Sequence, residues 1–94
     1  MRTRITPRQV FQKVDHIVTS AQSAAFAAST KVIRVVCTTN AWITFGANPT
    51  AAKDATSLFI AANVPEFFGV TPGEKLAVIR DASDGVTSIA EGKL

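Results

Sequence analysis

The chain contains few residues of the kinds that cross-link a fold, ligate metals or catalyse reactions. Among its 94 residues there is one cysteine, Cys37, and one histidine, His16. A single cysteine excludes a disulfide within the chain and a metal site built from several cysteines. We expect Cys37, at the end of a Val/Ile run, to be a small buried hydrophobic residue. His16 has no Cys, Ser or Asp at a recognised catalytic spacing, so we expect a strand or turn residue without a catalytic role.

Long hydrophobic runs and ligand-binding glycine motifs are also missing. No stretch approaches the roughly 20 apolar residues that cross a membrane, and no signal-peptide core follows Arg2 and Arg4. We therefore expect no membrane partner. The glycines occur singly, and none belongs to a phosphate-binding loop.

The acidic residues do not form a pattern typical of catalysis or metal binding. Most of them lie in or beside predicted turns, where carboxylates commonly serve turn chemistry and solvation. Asp81, Asp84 and Glu91 would be the best set for a hard cation, but residues 81–85 lack the alternating oxygen pattern of a calcium loop. We expect no enzymatic activity, no metal and no cofactor.

Length and composition indicate one small domain with a thin core. Apolar residues make up 47% of the chain, which is typical of a globular protein, but alanine accounts for many of them. Alanine fills little volume, and a chain of this size buries a small share of its unfolded surface. We therefore expect modest stability for the monomer and association into a homo-oligomer.

The charge is divided unevenly along the chain. Residues 1–34 contain six basic residues and one acidic residue, a net charge of +5, whereas residues 35–94 contain four basic and six acidic residues, a net charge of −2. We assign residues 1–9 to an extended basic N-terminal arm and residues 10–94 to a single β-domain. A short helix beginning at Pro7 is the alternative for the end of the arm.

The arm is a candidate for partner binding. Its arginines, Arg2, Arg4 and Arg8, indicate contact with an acidic surface of another protein, because a guanidinium pairs well with carboxylates. Nucleic acid is not an expected partner, because three charges are few and no aromatic residue lies among them.

Short runs of Val, Ile, Phe and Trp alternate with turn residues and predict an all-β fold. The clearest strand spans residues 31–37, and a strand is favoured over a helix for the second half of residues 10–19. Residues 25–27 are an optional short edge strand, and residues 91–94 are a tail. The remaining predicted strands are 41–45, 57–61, 66–70, 75–80 and 86–90. The expected fold is a small β-sandwich, jelly-roll-like or immunoglobulin-like.

Three turns are predicted from their residues. Residues 38–40 are short enough to join the strands on either side into a hairpin. Residues 71–74 match a type II turn with glycine, Gly73, at the third position. Asp84 and Gly85 form the dipeptide that is most common in hairpins.

The large aromatic residues divide between core and surface. A core this small needs most of them, and we assign Phe45 and Phe68 to it. Phe67 and Phe68 are neighbours, so they face opposite sides of a regular strand. Trp42 and Phe67 are candidate surface or interface aromatics, and Trp42 could alternatively stack on a sugar.

The segment from position 38 to position 79 contains an ordered series of short motifs. Two strand ends, Thr-Thr and Phe-Gly, precede Asn-Pro-Thr-Ala, an Ala-Asn-x-Pro-Glu-x-Phe-x-Val step and Pro-Gly-x-Lys followed by Ala-Val-Ile. The residues that carry these motifs are Thr38, Thr39, Phe45, Gly46, Asn48, Pro49, Thr50, Ala51, Ala62, Asn63, Pro65, Glu66, Phe68, Val70, Pro72, Gly73, Lys75, Ala77, Val78 and Ile79. Over roughly positions 20–90, the series resembles a family of short proteins encoded among the virion genes of tailed bacteriophages.

The resemblance implies a structural component of a virion. We expect a capsid decoration, or cement, protein that binds the major capsid protein or other virion proteins and stabilises the head shell after assembly in the host cytoplasm. One alternative is a head–tail connector or tail accessory protein. A second alternative, which rests on Trp42 and loop carboxylates, is a small carbohydrate-binding module.

Overall fold

The structure is a computed structural model that describes the backbone of residues 6–93 and the side chains of residues 11–92. Its eight strands are β1 (Thr6–His16), β2 (Ala21–Gln22), β3 (Val32–Cys37), β4 (Ala41–Gly46), β5 (Leu58–Ile60), β6 (Glu66–Gly69), β7 (Lys75–Arg80) and β8 (Gly85–Lys93). No helix long and apolar enough to span a membrane occurs in residues 6–93.

The strands form two four-stranded sheets. Sheet A has the order β1-β8-β3-β6, and sheet B has the order β2-β7-β4-β5. Every pairing is antiparallel. The two sheets pack face to face, so the predicted small all-β sandwich is confirmed.

Alternating side chains of the central strands form the core between the sheets. On β3, Ile33, Val35 and Cys37 are fully buried while Arg34 between them is exposed, as a period of two requires. Burial of Cys37 confirms its assignment as a small hydrophobic residue. The other core members are Val14, Phe26, Ala41, Ile43, Ile60, Leu76, Val78 and Ile89.

Phe45 and Phe68 extend this core, as predicted. Both are partly buried and pack against it. Their ring centroids lie 5.4 Å apart with the ring planes inclined by 56°, which is a favourable aromatic arrangement.

Both predicted hairpins are wrong. Residues 38–40 carry the chain from β3 in sheet A to β4 in sheet B, and residues 81–84 carry it from β7 in sheet B to β8 in sheet A. In residues 6–93, β4 and β5 are the only two strands that follow each other in sequence and also pair in the same sheet. Both edges of β3 and of β7 are paired with strands that are distant in sequence. The short turns after these two strands therefore lead to the other sheet and not to a neighbouring strand.

The N-terminal boundary also differs from the prediction. Strand β1 begins at Thr6, which pairs with Lys93, so residues 6–9 belong to the sheet and not to an arm. The register shifts between Pro7 and Phe11. Strand β1 ends at His16, so the strand favoured for the second half of residues 10–19 is formed only at residues 15 and 16. Residues 17–19 belong to the β1–β2 connection, and the helix at Pro7 is not formed. Arg8 lies in β1, and its side chain is outside the described residues, as are Arg2 and Arg4.

The type II turn at residues 71–74 is confirmed. Gly73 has a φ of 88°, and the N–H of Glu74 donates to the carbonyl of Thr71 at 3.1 Å. The optional edge strand at residues 25–27 is not formed. Its place is taken by β2 at Ala21–Gln22, and Phe26 is buried in the core instead.

The outer face of sheet B is partly covered by a strap, residues 47–57. The side-chain amide of Gln22 on β2 donates to Asn48 Oδ1 at 2.9 Å and to the Pro49 carbonyl at 2.8 Å. The N–H of Ala51 donates to Ser20 Oγ at 2.9 Å. As a result Ala77, which faces outward from β7, is fully buried.

Candidate assembly surface and buried polar networks

The exposed large apolar side chains lie at the lateral edges of the sandwich. Within residues 11–92 they are Phe11, Ile17, Val18, Leu58, Phe59, Val64 and Phe67. Each belongs to an edge strand, β1, β5 or β6, or to the β1–β2 or β5–β6 connection. The central strands carry none of them, so the two apolar flanks lie on opposite sides of the molecule.

One register row crosses the outer face of sheet A and joins the two flanks. Phe11 on β1 pairs with Ala90, Ala90 pairs with Arg34, and Arg34 pairs with Phe67 on β6. Phe11 is 66% exposed, Phe67 is 53% exposed, and Arg34 is also exposed. At about 4.8 Å between neighbouring strands, the two rings stand roughly 14 Å apart. We call these four residues the sheet A row.

Trp42 has a different environment from Phe67. It is half-buried on sheet B, and its indole N–H donates to Asp81 Oδ1 at 3.0 Å. The Phe59 ring meets it edge-on, with centroids 5.2 Å apart. A shallow depression of about 230 Å³ lies beside Asp81 and is lined by residues 38–40, Ala62 and residues 81–83. This volume is below the range of about 300–1,000 Å³ typical of small-molecule sites.

His16 is fully buried and takes part in a chain of hydrogen bonds that leads to the surface. Its Nε2 is 2.7 Å from Thr39 Oγ1, whose hydroxyl donates to the Ser83 carbonyl at 3.0 Å. The hydroxyl of Thr39 has one proton, so His16 Nε2–H must be the donor. Nδ1 is then the acceptor for the Thr87 hydroxyl at 2.9 Å. The chain therefore fits a neutral imidazole with its proton on Nε2.

The same network includes the thiol of Cys37. Its Sγ lies 3.5 Å from Thr87 Oγ1, and because the Thr87 proton is directed to His16, the thiol is the donor. Burial raises the pKa of Cys37, and the hydrogen bond to Thr87 opposes this effect. Cys37 is thus a protonated interior thiol and not a nucleophile.

Acidification is expected to destabilise the fold through His16. Burial lowers the pKa of His16 below 6.5, while Asp84 and Asp15 act to raise it. The unfolded chain therefore binds more protons as the pH falls through this range, so the free energy of unfolding decreases. The stabilisation that comes from burying His16 in its neutral form is complete above pH 6.5. It is lost as the pH falls toward the folded-state pKa of His16.

Urea denaturation at about pH 7.5 and about pH 5.5, where most carboxylates stay ionised, measures this effect. His16→Gln retains an amide at the ring position and removes the titration. We expect its stability to change less between the two pH values than that of the unaltered chain. Equal pH dependence in both proteins would rule out His16 as the cause.

Glu91 forms a second buried network and is not part of a tail. It lies in β8 with 1% of its surface exposed. Its Oε1 accepts from the Ala27 N–H at 2.9 Å and from the Thr30 hydroxyl at 2.6 Å. Its Oε2 accepts from the Gln12 side-chain amide at 3.0 Å. The carboxylate thereby fixes the β2–β3 connection onto sheet A.

The acidic set considered for a cation does not come together. Asp81 and Asp84 lie in the β7–β8 connection, whereas Glu91 lies near the far end of β8. Within residues 11–92 no three His, Cys, Asp or Glu side chains are arranged to hold a metal ion. Every buried side-chain nitrogen or oxygen of the described residues has a hydrogen-bond partner. The interior polar groups are therefore used by the fold itself.

Three residues of these sites were not identified from the sequence. Phe11 and Arg34 were not recognised as one row, because the pairing partners of β1 and β3 are distant in sequence. Glu91 was assigned to a tail, although alternation from Ile89 places it on the buried face of β8. That alternation was the available signal.

Comparison with known proteins identifies no relatives: no protein-family model, no curated protein and no solved structure matches this chain.

Proposed function

We propose that the chain is a non-enzymatic structural protein of a tailed-bacteriophage virion, a capsid decoration protein that binds the head shell and stabilises it. The motif series at positions 38–79 supports the virion assignment by resemblance. The single structural observation that carries the binding role is the sheet A row, in which two exposed phenylalanines flank an exposed arginine on an uncovered sheet face.

The sheet A row has the composition of a protein-binding surface. Burying one phenylalanine side chain contributes roughly 1.5–3 kcal/mol, and aromatic residues and arginine are the types most enriched at protein interfaces. Arg34 has no salt-bridge partner in the described residues, so its guanidinium is available to a shell carboxylate. Sheet B has less outer surface available for binding, because the strap covers part of its outer face.

Many copies bound to one lattice would make modest individual contacts sufficient. Linked contacts add through effective concentration. Binding to the folded chain also stabilises it by mass action, which suits a domain with a thin core. The shell would in turn gain contacts between its own subunits wherever one copy touches two of them.

Reversal of the charge at Arg34 tests the proposal. Arg34→Glu is expected to weaken binding to shells stripped of this protein by about tenfold or more, because a carboxylate would then face the shell carboxylate with which Arg34 is proposed to pair. Lys75→Glu on sheet B changes the net charge equally and is the matched control, expected to bind as the unaltered chain does. Sedimentation of shells with bound chain gives the measurement.

The copy number in purified particles distinguishes the head from the neck and tail. A decoration protein is present in on the order of hundreds of copies, and a connector in about a dozen or fewer set by ring symmetry. Absence of the chain from particles, or equal binding by Arg34→Glu and Lys75→Glu, would contradict the proposal.

A further inference from the structure

We propose that copies of this chain associate side by side, with the β6 edge of one copy against the β1 edge of the next, so that both sheets continue across the contact. This self-association names a partner within the proposed virion role and rests on it. The occupant of each flank is thus a second copy of this chain.

The strand directions allow two copies in the same orientation to pair in this way. Each sheet has four strands that alternate in direction. The first and last strands of a sheet, β1 and β6 or β2 and β5, therefore run in opposite directions. A second copy in the same orientation places its β1 antiparallel to β6, and its β2 antiparallel to β5. Edge strands add further strands readily, because their outer backbone groups are available.

The sheet A row aligns the aromatic residues for this contact. Phe11 and Phe67 occupy the two ends of one register row. When the row continues into the next copy without a shift, Phe67 becomes the cross-strand neighbour of the second copy's Phe11. Aromatic pairs in that position are among the stabilising cross-strand pairs, and both rings are more than half exposed in the monomer.

The strand connections add a second apolar contact. Ile17 and Val18 in the β1–β2 connection are exposed on one side, and Leu58, Phe59 and Val64 are exposed on the opposite side. In the side-by-side arrangement the first group of one copy faces the second group of its neighbour. All seven exposed large apolar side chains of residues 11–92 then lie in the contact between neighbouring copies.

Charge favours this arrangement over a two-fold dimer. Strand β6 carries one charge, on Glu66, whereas β1 carries Arg8, Lys13 and Asp15 for a net charge of +1. A two-fold contact would pair β6 with β6 or β1 with β1 and bring like charges together, which is destabilising. The side-by-side contact joins opposite charges. Such a contact uses two different surfaces, so repetition produces a closed ring or a row.

Disulfide trapping tests the arrangement without any particle. Phe11→Cys and Phe67→Cys place one thiol at each end of the row, and neighbouring antiparallel strands have Cα atoms within the separation that a disulfide spans. Cys37 is fully buried and does not compete. The variants are mixed in equal amounts at high concentration and oxidised. Dimers are identified by mass spectrometry, and circular dichroism verifies that each variant is folded.

The expected result is a mixed dimer, in which a disulfide joins one Phe11→Cys chain to one Phe67→Cys chain, in at least about tenfold excess over the dimers of either variant alone. Ser88→Cys, exposed on the central strand β8, replaces Phe11→Cys in the control mixture and should give no excess. A yield in the test mixture no higher than in the control overturns the proposal, and so do abundant dimers of a single variant, which indicate a two-fold contact. Neither result depends on shell binding, so the decoration role is tested separately.

Discussion

Glu91→Ala is expected to lower the free energy of unfolding by about 3–5 kcal/mol, the largest effect of any substitution proposed for this chain. The carboxylate is buried and accepts three hydrogen bonds, from Ala27, Thr30 and Gln12. Its own desolvation costs energy, but removing it leaves two donors of the β2–β3 connection without partners. Each unsatisfied buried donor costs about 1–3 kcal/mol, so the loss outweighs the gain.

The Glu91→Gln variant removes the charge of the side chain but keeps its shape, so it separates the contributions of the two to stability. The amide fills the same space, but it has one acceptor oxygen and directs two protons at groups that are themselves donors. We expect a loss of about 1.5–3 kcal/mol, smaller than that for alanine. Glu66→Ala, on exposed β6, is the control and should change stability by no more than about 0.5 kcal/mol. Urea denaturation measures all three, and a Glu91→Ala value close to the control would show that the network contributes little.

Gly85→Ala is expected to destabilise the chain by about 3 kcal/mol through overpacking. Gly85 pairs directly with His16 in the register of β1 and β8. An added Cβ would lie 2.6 Å from His16 Nε2 and 2.7 Å from Thr38 Oγ1, and it would also collide with Thr39 Oγ1. These atoms cannot simply move away, because the hydrogen bond between His16 and Thr39 holds two of them together.

Gly69→Ala provides the matched control for this prediction. Its added Cβ would come no closer than 3.9 Å to the Lys31 carbonyl oxygen, which is an ordinary contact. It should therefore change stability by no more than about 0.5 kcal/mol. Thermal unfolding of both variants gives the comparison, and the His16 ring signals in NMR report whether the network is disturbed. Equal stability of the two variants would refute the steric argument.

Alternation of apolar and polar residues was sufficient to predict the class of fold and strands β3 to β8, but not β2 or the first residues of β1. On β3 the inward positions of Ile33, Val35 and Cys37 follow directly from the period of two. The type II turn was predictable for a similar reason, because the positive φ of Gly73 is a local requirement.

The assignment of strands to sheets could not be obtained from local signals. Gly85 was interpreted as a turn residue, but it lies in β8 and is needed because side-chain atoms of His16 and two threonines occupy the space that a Cβ would take. Residues 38–40 have the length of a hairpin and instead cross between the sheets. Which sheet a strand joins depends on partners far along the chain, and a turn sequence contains no information about them.

The buried polar sites also depend on partners far along the chain, so local signals do not predict them. Glu91 receives its hydrogen bonds from residues more than sixty positions away, so no neighbouring residue indicates its burial. His16 was expected in a strand or a turn and lies in β1, but its partners Thr39 and Thr87 are 23 and 71 positions away. Phe67 was expected as a surface or interface aromatic, but the sheet A row as a whole could not be predicted, because it exists only when four strands are in register.

The position of β8 has a consequence for biosynthesis. It lies between β1 and β3 in sheet A, so neither of these strands has its main partner until residues 85–93 have left the ribosome. Until then the fold of residues 6–93 is incomplete, and closing so long a loop is slow. During this interval apolar strands such as β3 are uncovered, and exposed strands of this kind are prone to aggregation.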